Sequence, residues 1–360
     1  MYGALVRSTD EERIFFDDIR NRVQLNSVSL PSVCLYTVLN AHNGLNCSSI
    51  SQDGSLLVGG FSDSSLKVWD MAKIGQQSNT SKILEEDESV VTVSSSLPED
   101  GKKSYTLLRG HSGPVTSVAF NPLGDYMLSS SVDSTVRLWS NKLNTNLVCY
   151  KGHNYPVWDV KFSPKGHYFV SASHDRTARL WSVERIHPLR VMAGHLSDVD
   201  WHENCNYIAT GSSDKTVRLW DIQSGECARI FIGHRSTVLC LAMSPDGRYM
   251  SSGDEDGIIM TWDISTGSCI SPLTGHTSCV WTLAFSCEGN LLASGSADST
   301  VKLWDVSSST KISKTDDSKT GSTNRLRLLK TLPTKSTPVS CLQFSRRNLL
   351  FAAGSFSKGV

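Results

Sequence analysis

Residues 171–181 read SASHDRTARLW. The stretch brings Ser171, His174 and Asp175 together, and these are the side-chain types from which hydrolases build a nucleophile and its base. Related segments occur five more times, each with an Asp six residues before a Trp: GFSDSSLKVWD, SSVDSTVRLWS, GSSDKTVRLWD, GDEDGIIMTWD and GSADSTVKLWD. A stretch that recurs in this way belongs to a repeat, so the repeat decides the fold.

The repeat keeps a nearly constant length. A Gly-His dipeptide precedes five of the Asp–Trp pairs, and its histidines are His111, His153, His195, His234 and His276. Successive histidines are 42, 42, 39 and 42 residues apart. From this His to the Asp the separation is 22 residues in four repeats and 19 in the repeat that begins at His195.

Within each period the local pattern predicts β-strands. PVTSVAF and PVWDVKF alternate between apolar and polar residues, and the turns NPLGD and SPKGH follow them. A second run such as YFVSAS and a third such as TVRLW complete the unit. Three or four short antiparallel strands cannot bury their own faces, so we expect several units to pack radially around a shared core.

The Gly-His dipeptide, the turn Asp and the closing Trp resemble the WD40 (WD-repeat) β-propeller family over residues 33–360. The resemblance implies an all-β, seven-bladed WD40 propeller in which His, Ser or Thr, Asp and Trp of a blade hydrogen-bond as a structural tetrad. Ser171, Asp175 and Trp181 would then pair with His153, leaving His174 as an exposed turn residue. The five tetrads expected are His111, Ser129, Asp133, Trp139; His153, Ser171, Asp175, Trp181; His195, Thr210, Asp214, Trp220; His234, Ser252, Asp256, Trp262; and His276, Ser294, Asp298, Trp304.

The seventh blade is expected to form from both ends of residues 33–360, with strand 33–38 as its outer strand and residues 338–354 as its inner part. Neither this blade nor the first has a tetrad His, because Thr334-Lys335 and Asn40-Ala41 stand at the Gly-His positions. Residues 1–32 are predicted to form a helical N-terminal extension, a strut on the propeller or the remnant of a linker. Its helix would span 9–25, with Phe15, Ile19 and Val23 on one face.

Three irregularities interrupt the repeat. Insertions at about 73–103 and 307–325 are rich in Ser, Thr, Lys and acidic residues, and they predict solvated loops, either spacers or carriers of docking or modification sites. The short repeat lacks three residues, which we place between Asp200 and Trp201. An odd deletion there should invert the alternation of the inner strand.

Composition argues against several classes of function. Lys+Arg and Asp+Glu are equal at 35 each, so no global charge favours nucleic acid or membrane. The ten cysteines include no C-x-x-C pair, which argues against a zinc site and favours a reducing compartment. We find no Gly-rich phosphate loop and no metal-ligand spacing, so no catalytic, cofactor or metal residues are predicted and the protein is expected not to be an enzyme.

Protein partners are the expected ligands. The candidate contact residues are Tyr155, Trp158, Arg176, Arg235 and Trp281. Trp158 and Trp281 stand at the start of an inner strand, and the other three stand in neighbouring loops. Packing between blades is the alternative for Trp158 and Trp281. Arg346 and Arg347 are interpreted as solvated turn charges rather than a nucleic-acid patch.

A narrower resemblance rests on YKGHNYPVWD, PLRVMAGHLSDVD and TKSTPVSCLQFSRRNLLFAAG. These stretches resemble the propeller half of the WD-repeat TBP-associated factors, scaffold subunits of TFIID, and HNGLNCSSISQDGSL resembles the plant members. The resemblance implies a nuclear scaffold that binds histone-fold TBP-associated factors and the TFIID core for RNA polymerase II initiation, after folding with a chaperonin. The family's N-terminal LisH-type and helical domains are not recognised here, so a fragment, a truncated product or a reduced role is expected. The alternatives are a subunit of a SAGA-type acetyltransferase complex and a peptide-reading or ubiquitin-ligase substrate receptor.

Overall fold

The structure is a computed structural model, and it describes residues 17–39, 44–78, 90–94, 104–194, 198–306 and 326–356, with the backbone alone at 39, 75–78 and 90–94. Seven four-stranded sheets form the blades of a propeller, which confirms the expected fold class. From the inner to the outer strand, blades 1 to 6 are β2 (Leu45–Ile50), β3 (Leu56–Phe61), β4 (Ser65–Asp70), β6 (Thr106–Arg109); β7 (Val115–Phe120), β8 (Tyr126–Ser131), β9 (Thr135–Ser140), β10 (Thr145–Lys151); β11 (Val157–Phe162), β12 (Tyr168–Ser173), β13 (Thr177–Ser182), β14 (Arg190–Ala193); β15 (Asp198–Trp201), β16 (Tyr207–Gly211), β17 (Thr216–Asp221), β18 (Cys227–Ile232); β19 (Val238–Met243), β20 (Tyr249–Asp254), β21 (Ile259–Asp263), β22 (Cys269–Leu273); and β23 (Val280–Phe285), β24 (Leu291–Ser296), β25 (Thr300–Asp305), β26 (Arg327–Pro333).

The hydrophobic core lies between the blades. Seven clusters of buried side chains each join two neighbouring blades. Between blades 2 and 3, for example, Leu138 and Tyr150 pack with Val160, Phe169 and Trp181. Because each blade buries its two faces against its two neighbours, the alternating strands of one repeat fold only within the ring.

The ring has two distinct faces. The inner strands begin at what we call the tetrad face, where the loops that carry the Gly-His dipeptides and the turns that carry Asp133 and Asp175 also lie. They end at the hairpin face, where turns such as residues 163–167 lead into the second strands. A central channel bordered by the inner strands connects the two faces.

Blade 7 has an unexpected strand order. It consists of β27 (Cys341–Phe344), β28 (Leu350–Ser355), β1 (Val33–Leu39) and β5 (Val90–Ser94), in that order. The prediction that 33–38 is the outer strand was wrong, because β1 pairs directly with β28, in parallel, and occupies the third position. The second and fourth strands of a blade run in the same direction. A strand with the direction of an outer strand therefore pairs in parallel when it lies directly next to β28.

The first insertion contains regular structure. A helix spans Met71–Ser78, and β5 pairs in parallel with β1 as the outer strand of blade 7. The expectation of a structureless loop over 73–103 was therefore wrong for these two segments. The remainder, 79–89 and 95–103, and the second insertion, 307–325, lie outside the described residues. In the described part of the chain, no helix combines the length and apolar character needed to cross a membrane.

The N-terminal segment packs on the hairpin face. Its helix, described at residues 17–20, ends earlier than expected. Ile19 and Val23 of the predicted apolar face are exposed, and Phe15 lies outside the described residues. Leu25 lies beyond the helix and is buried in the cluster between blades 6 and 7. Asn290 Nδ2 donates a hydrogen bond to the carbonyl oxygen of Leu25 at 3.3 Å.

Of the two arginines of blade 7, Arg347 is an exposed turn residue, as expected, whereas Arg346 is half-buried. Arg347 Nε lies 2.7 Å from Asp18 Oδ1 and ties the N-terminal segment to this blade. Arg346 donates to Gln52 Oε1 in blade 1 at 3.3 Å and to the carbonyl oxygen of Pro122 in blade 2 at 2.5 Å. The Arg346 side chain therefore links three consecutive blades across the hairpin face.

The short repeat is accommodated without inverting its alternation. β15 pairs with β16 without a register shift, and Val199 and Trp201 are buried as in the other inner strands. Polar and apolar residues alternate in the sequence D-V-D-W of residues 198–201. With residues 198–200 in the inner strand, Val199 and Trp201 therefore face the core. The three-residue shortening consequently falls before Asp198, not after Asp200 as expected, and residues 195–197 lie outside the described residues.

Candidate functional site

The structure brings together the tetrad residues of blades 2, 3 and 6. In blade 3, His153 Nδ1 lies 2.8 Å from Asp175 Oδ2, and His153 Nε2 lies 2.7 Å from Ser171 Oγ. Trp181 Nε1 donates to the same Oγ at 2.9 Å. A carboxylate can only accept, so the Nδ1–H of the imidazole donates to Asp175; in the neutral ring Nε2 then accepts the Ser171 proton, while Ser171 Oγ accepts the indole N–H. Corresponding distances of 2.7–2.9 Å occur in His111, Ser129, Asp133, Trp139 and in His276, Ser294, Asp298, Trp304.

Electrostatics favour this neutral-imidazole arrangement. Burial lowers the pKa of His153 and of His276, although hydrogen bonds to their aspartates act in the opposite direction. Burial would by itself raise the pKa of Asp133, Asp175 and Asp298. Hydrogen bonds from the imidazole, a neighbouring Thr hydroxyl and backbone N–H groups outweigh burial, and hold the pKa of each carboxyl below its usual range.

These Ser–His–Asp groups are placed as structural elements. Ser129, Ser171, Ser252 and Ser294 are fully buried, and each hydroxyl oxygen already accepts an indole N–H. A nucleophilic serine needs an exposed hydroxyl in a cleft that admits a substrate. The arrangement therefore satisfies buried polar groups and braces the turns of each blade.

Blade 5 uses a different aspartate from the one predicted. His234 Nδ1 lies 2.8 Å from Asp254 Oδ2, whereas Asp256 is exposed. Asp254 stands where the other blades have a turn-capping serine such as Ser173, and its Oδ1 also accepts the backbone N–H of Asp256 and of Ile258. One buried carboxylate thus serves both the histidine and the turn, and the assignment of Asp256 to the tetrad was wrong.

The other blades depart further from the pattern. In blade 4, Trp220 Nε1 donates to Thr210 Oγ1 at 2.8 Å, and Asp214 accepts from Thr216, while His195 lies outside the described residues. In blade 1, Gly59 stands at the Ser position, and the buried Trp69 Nε1 has no hydrogen-bond partner among the described residues.

The predicted contact residues are exposed on the tetrad face, and two of them line the channel. Trp158 and Trp281 line the channel and are 40% and 43% exposed, so they do not fill the interfaces between blades. Each sits at a β-bulge one residue after the inner strand begins, where the pairing register shifts by one. Tyr155 is 55% exposed, and the His174 ring lies 6.1 Å from the rings of both Tyr155 and Trp158. The two predicted arginines, Arg176 and Arg235, are also exposed on this face.

Below the mouth, side chains of the inner strands form rings around a cavity of about 840 Å³. The first ring contains one residue from each inner strand, namely the residue directly after the β-bulge or, in blades 4 and 7, the residue at the equivalent position. These residues are Cys47, Ser117, Asp159, Asp198, Cys240, Thr282 and Cys341. Two residues further along their strands lie Lys161 and Asp200, and Gln343 occupies the same level in blade 7.

Charges in the channel are concentrated at blades 3 and 4. Asp159 accepts hydrogen bonds from Ser117 Oγ at 2.6 Å and from the backbone N–H of Val199 at 3.3 Å. Burial raises the pKa of Asp198 well above its usual value, and repulsion from Asp159 adds to the effect. Burial would lower the pKa of Lys161, but the surrounding carboxylates outweigh it and raise that pKa. The described residues hold no group of three or more His, Cys, Asp or Glu side chains placed to bind a metal ion.

Sequence reasoning missed these channel residues. The available signal was polar residues at alternate positions of the inner strand, as in Asp159 and Lys161 of VWDVKF. Which face of the strand points into the channel cannot be assigned from alternation alone. In blade 4 the shortening also concealed the register of Asp198 and Asp200.

Comparison with known proteins gives a consistent result. The family profile "WD domain, G-beta repeat" matches residues 32–70, 101–140, 144–182, 186–221, 225–263 and 267–305. The "Transcription initiation factor TFIID subunit 5" of Arabidopsis thaliana is 70% identical over 146 residues, 41% of this chain and 21% of that protein. The Drosophila melanogaster protein of the same name is 43% identical over 133 residues, 36% of this chain and 19% of that protein.

A third relative carries a different name. The mouse "TAF5-like RNA polymerase II p300/CBP-associated factor-associated factor 65 kDa subunit 5L" is 41% identical over 141 residues, 36% of this chain and 23% of that protein. The chain spans about a fifth of the length of the curated relatives it matches. Six matched repeats that cover more than half of the residues, on seven propeller blades, show that the chain belongs to the WD40 repeat family.

Proposed function

We propose that the chain is a non-enzymatic scaffold subunit of a TFIID-type transcription initiation complex, acting in the nucleus. The observation that carries this proposal is the 70% identity over 146 residues to the Arabidopsis TFIID subunit. A likeness of WD40 repeats in general would be weaker, because repeats of unrelated function share mainly the tetrad and turn residues. The partners we propose are histone-fold TBP-associated factors and the TFIID core, with a chaperonin during folding.

A SAGA-type acetyltransferase complex is the second candidate assembly. A Schizosaccharomyces pombe relative, 43% identical over 122 residues, is named as a subunit of both the SAGA complex and TFIID. The mouse TAF5-like relative is 41% identical, well below the value for the Arabidopsis TFIID subunit. The Drosophila TFIID subunit, at 43%, is scarcely more similar than the mouse relative, so the preference for TFIID rests on the Arabidopsis match.

The tetrad face is the proposed contact surface. Trp158, Trp281 and Tyr155 expose large aromatic side chains around one channel mouth, and aromatic side chains with nearby arginines are typical of interface hot spots. Arg176 and Arg235 supply the arginines on the same face. The tetrads hold the surrounding loops rigidly, which lowers the entropic cost of binding.

Affinity purification of the full chain from nuclear extract, followed by mass spectrometry, tests the assignment. Recovery of TBP and histone-fold TBP-associated factors would support the TFIID proposal. Recovery of acetyltransferase subunits without TBP would move the chain to the SAGA-type complex, and recovery of chaperonin alone would contradict both.

A matched pair of variants tests the surface. Trp158→Ala together with Trp281→Ala should reduce the recovered partners at least about ten-fold if the tetrad face is the interface. Ile232→Ala removes a side chain that is 78% exposed on an outer strand, and it should leave recovery unchanged. Equal recovery with both variants would exclude the channel mouth as the contact surface.

A further inference from the structure

We propose that the central channel, entered from the tetrad face, binds the side chain of a lysine or arginine carried by an extended segment of a partner protein. This inference goes beyond the assembly proposed above, because it concerns the ligand chemistry of the channel and not the complex that the chain joins. It rests on the aromatic mouth, the order of charges along the channel and the size of the cavity.

The mouth presents two indole rings to solvent. Trp158 and Trp281 come from blades 3 and 6, well apart around the ring, and both line the cavity. Exposed tryptophan faces attract ammonium and guanidinium groups, and they pack against the aliphatic part of a basic side chain. A basic side chain that enters the mouth beside either indole ring therefore gains contact before it reaches the charged side chains.

A cation that enters from the tetrad face meets acidic side chains first. The first ring contains the carboxylates of Asp159 and Asp198 and no Lys or Arg. The basic residue of the channel is Lys161. It lies two residues further along its strand than Asp159, level with Asp200. A cation that enters from the tetrad face consequently meets Asp159 and Asp198 before it meets Lys161, and Glu203 adds a further acidic side chain to the lining at the hairpin end.

Asp198 is the carboxylate suited to the ligand. Both oxygens of Asp159 already accept hydrogen bonds, from Ser117 Oγ and from the Val199 N–H, and Asp200 Oδ2 accepts the N–H of Met243 at 2.8 Å. Asp198 shares a side-chain hydrogen bond with Asp159, and burial, repulsion from Asp159 and this hydrogen bond all raise the pKa of Asp198. An ammonium or guanidinium group between them would relieve the repulsion and replace a proton with hydrogen-bonded N–H donors.

The side chains of the first ring favour an organic cation over a metal ion. The described residues offer no metal-ligating cluster, and a cavity of about 840 Å³ is far larger than a metal site requires. The repeat is three residues short, and the register of β15 sets Asp198 and Asp200 at the positions that Asp159 and Lys161 occupy in blade 3. The proposed specificity therefore depends on the register of β15.

A pair of peptides that differ only in charge tests the proposal on the isolated full chain. The probe is acetyl-Gly-Ala-Arg-Ala-Gly-amide, and the control replaces Arg by citrulline, which keeps the shape and removes the charge. In protein labelled with 15N-tryptophan, the indole N–H signals of Trp158 and Trp281 should shift and saturate with the Arg peptide. The citrulline peptide should bind at least about ten-fold more weakly. Equal binding of the two peptides, or no saturable binding of either, would overturn the proposal.

Two carboxylate variants place the binding within the channel. Asp198→Asn should weaken the Arg peptide at least about ten-fold, while Asp256→Asn, which removes an exposed carboxylate from the same face, should leave binding unchanged. The buried tetrad tryptophan signals report whether each variant is folded. If Asp198→Asn does not fold, Trp158→Ala with Trp281→Ala serves in its place and must show the same loss. An equal effect of Asp198→Asn and Asp256→Asn would show that only the general charge of the face matters, and would contradict a channel site. Because no complex is needed, these outcomes are independent of the TFIID assignment.

Discussion

At the scale of single residues, blade 5 separates what the repeat pattern indicates from what the hydrogen bonds require. Asp256 occupies the position of the family aspartate, but the buried Asp254 accepts from His234 and from two backbone N–H groups. We expect Asp254→Asn to lower the free energy of unfolding by about 1–3 kcal/mol, because an amide nitrogen would face N–H donors. Asp256→Asn should change it by less than about 0.5 kcal/mol. Urea denaturation followed by tryptophan fluorescence measures both, and the reverse order of effects would restore Asp256 to the tetrad.

The tetrad aspartates should make stability depend on pH in the acid range. Hydrogen bonds hold the pKa of Asp133 below its usual range despite burial, so its stabilisation is complete above the unfolded-state pKa of about 3.9. It is lost as the pH falls through the lower pKa of the folded state, where the native carboxylate takes up its proton. The difference in unfolding free energy between the wild-type protein and Asp133→Asn should therefore be constant from about pH 7 to pH 5, and shrink below about pH 4. Urea denaturation across this range measures it, and a difference that grows on acidification would contradict the assignment.

At the scale of elements, the N-terminal segment is held by a residue outside its helix. Leu25 is 2% exposed in the cluster between blades 6 and 7, whereas Val28 is 92% exposed. Leu25→Ala should cost about 2–4 kcal/mol through lost burial and an unfilled cavity. Val28→Ala, the matched control, should be nearly neutral, and thermal denaturation distinguishes the two. Equal melting temperatures would mean that the segment does not contribute to the stability of the propeller.

Strand content was predictable from the sequence, but the strand order in blade 7 was not. Alternation in VCLYTV indicates a strand, and the repeat places it in the last blade. Whether it pairs third or fourth depends on which edge of β28 is open, and that is a property of the assembled ring. The helix Met71–Ser78 and the strand Val90–Ser94 were missed because polar and acidic residues dominate the insertion, although the short run VVTVS has a β-type pattern of its own.

At the scale of the whole molecule, the tetrads divide the ring into well-braced and weakly braced blades. Blades 2, 3, 5 and 6 have complete networks, whereas Trp69 of blade 1 lacks a partner among the described residues, and blade 7 has Ala352 at the Ser position. Amide hydrogen exchange in β2–β3 and β27–β28 should therefore be at least about ten-fold faster than in β11–β12. Uniform protection around the ring would indicate that the Arg346 link across blades 7, 1 and 2 compensates for the missing tetrads.

The candidate site shows the same division between sequence and structure. The aromatic mouth was predictable, because Trp158 and Trp281 stand at a fixed distance from the Gly-His dipeptides of a repeat. The channel carboxylates were not predictable. Asp159 is distant in sequence from Asp198 and Asp200, and the shortened repeat conceals the register of the latter two. Only closure of the ring brings them together.

By itself the sequence determined the class of fold, the number of blades and three of the tetrads, because these depend on local spacing that recurs along the chain. Tertiary structure alone decided that Asp254 replaces Asp256, that β1 pairs in parallel with β28, and that the shortened repeat places carboxylates in the channel. The physical reason is that hydrogen-bond partners, sheet edges and the channel wall are each assembled from several blades. A repeat specifies its own strands, and the closed ring specifies what those strands face.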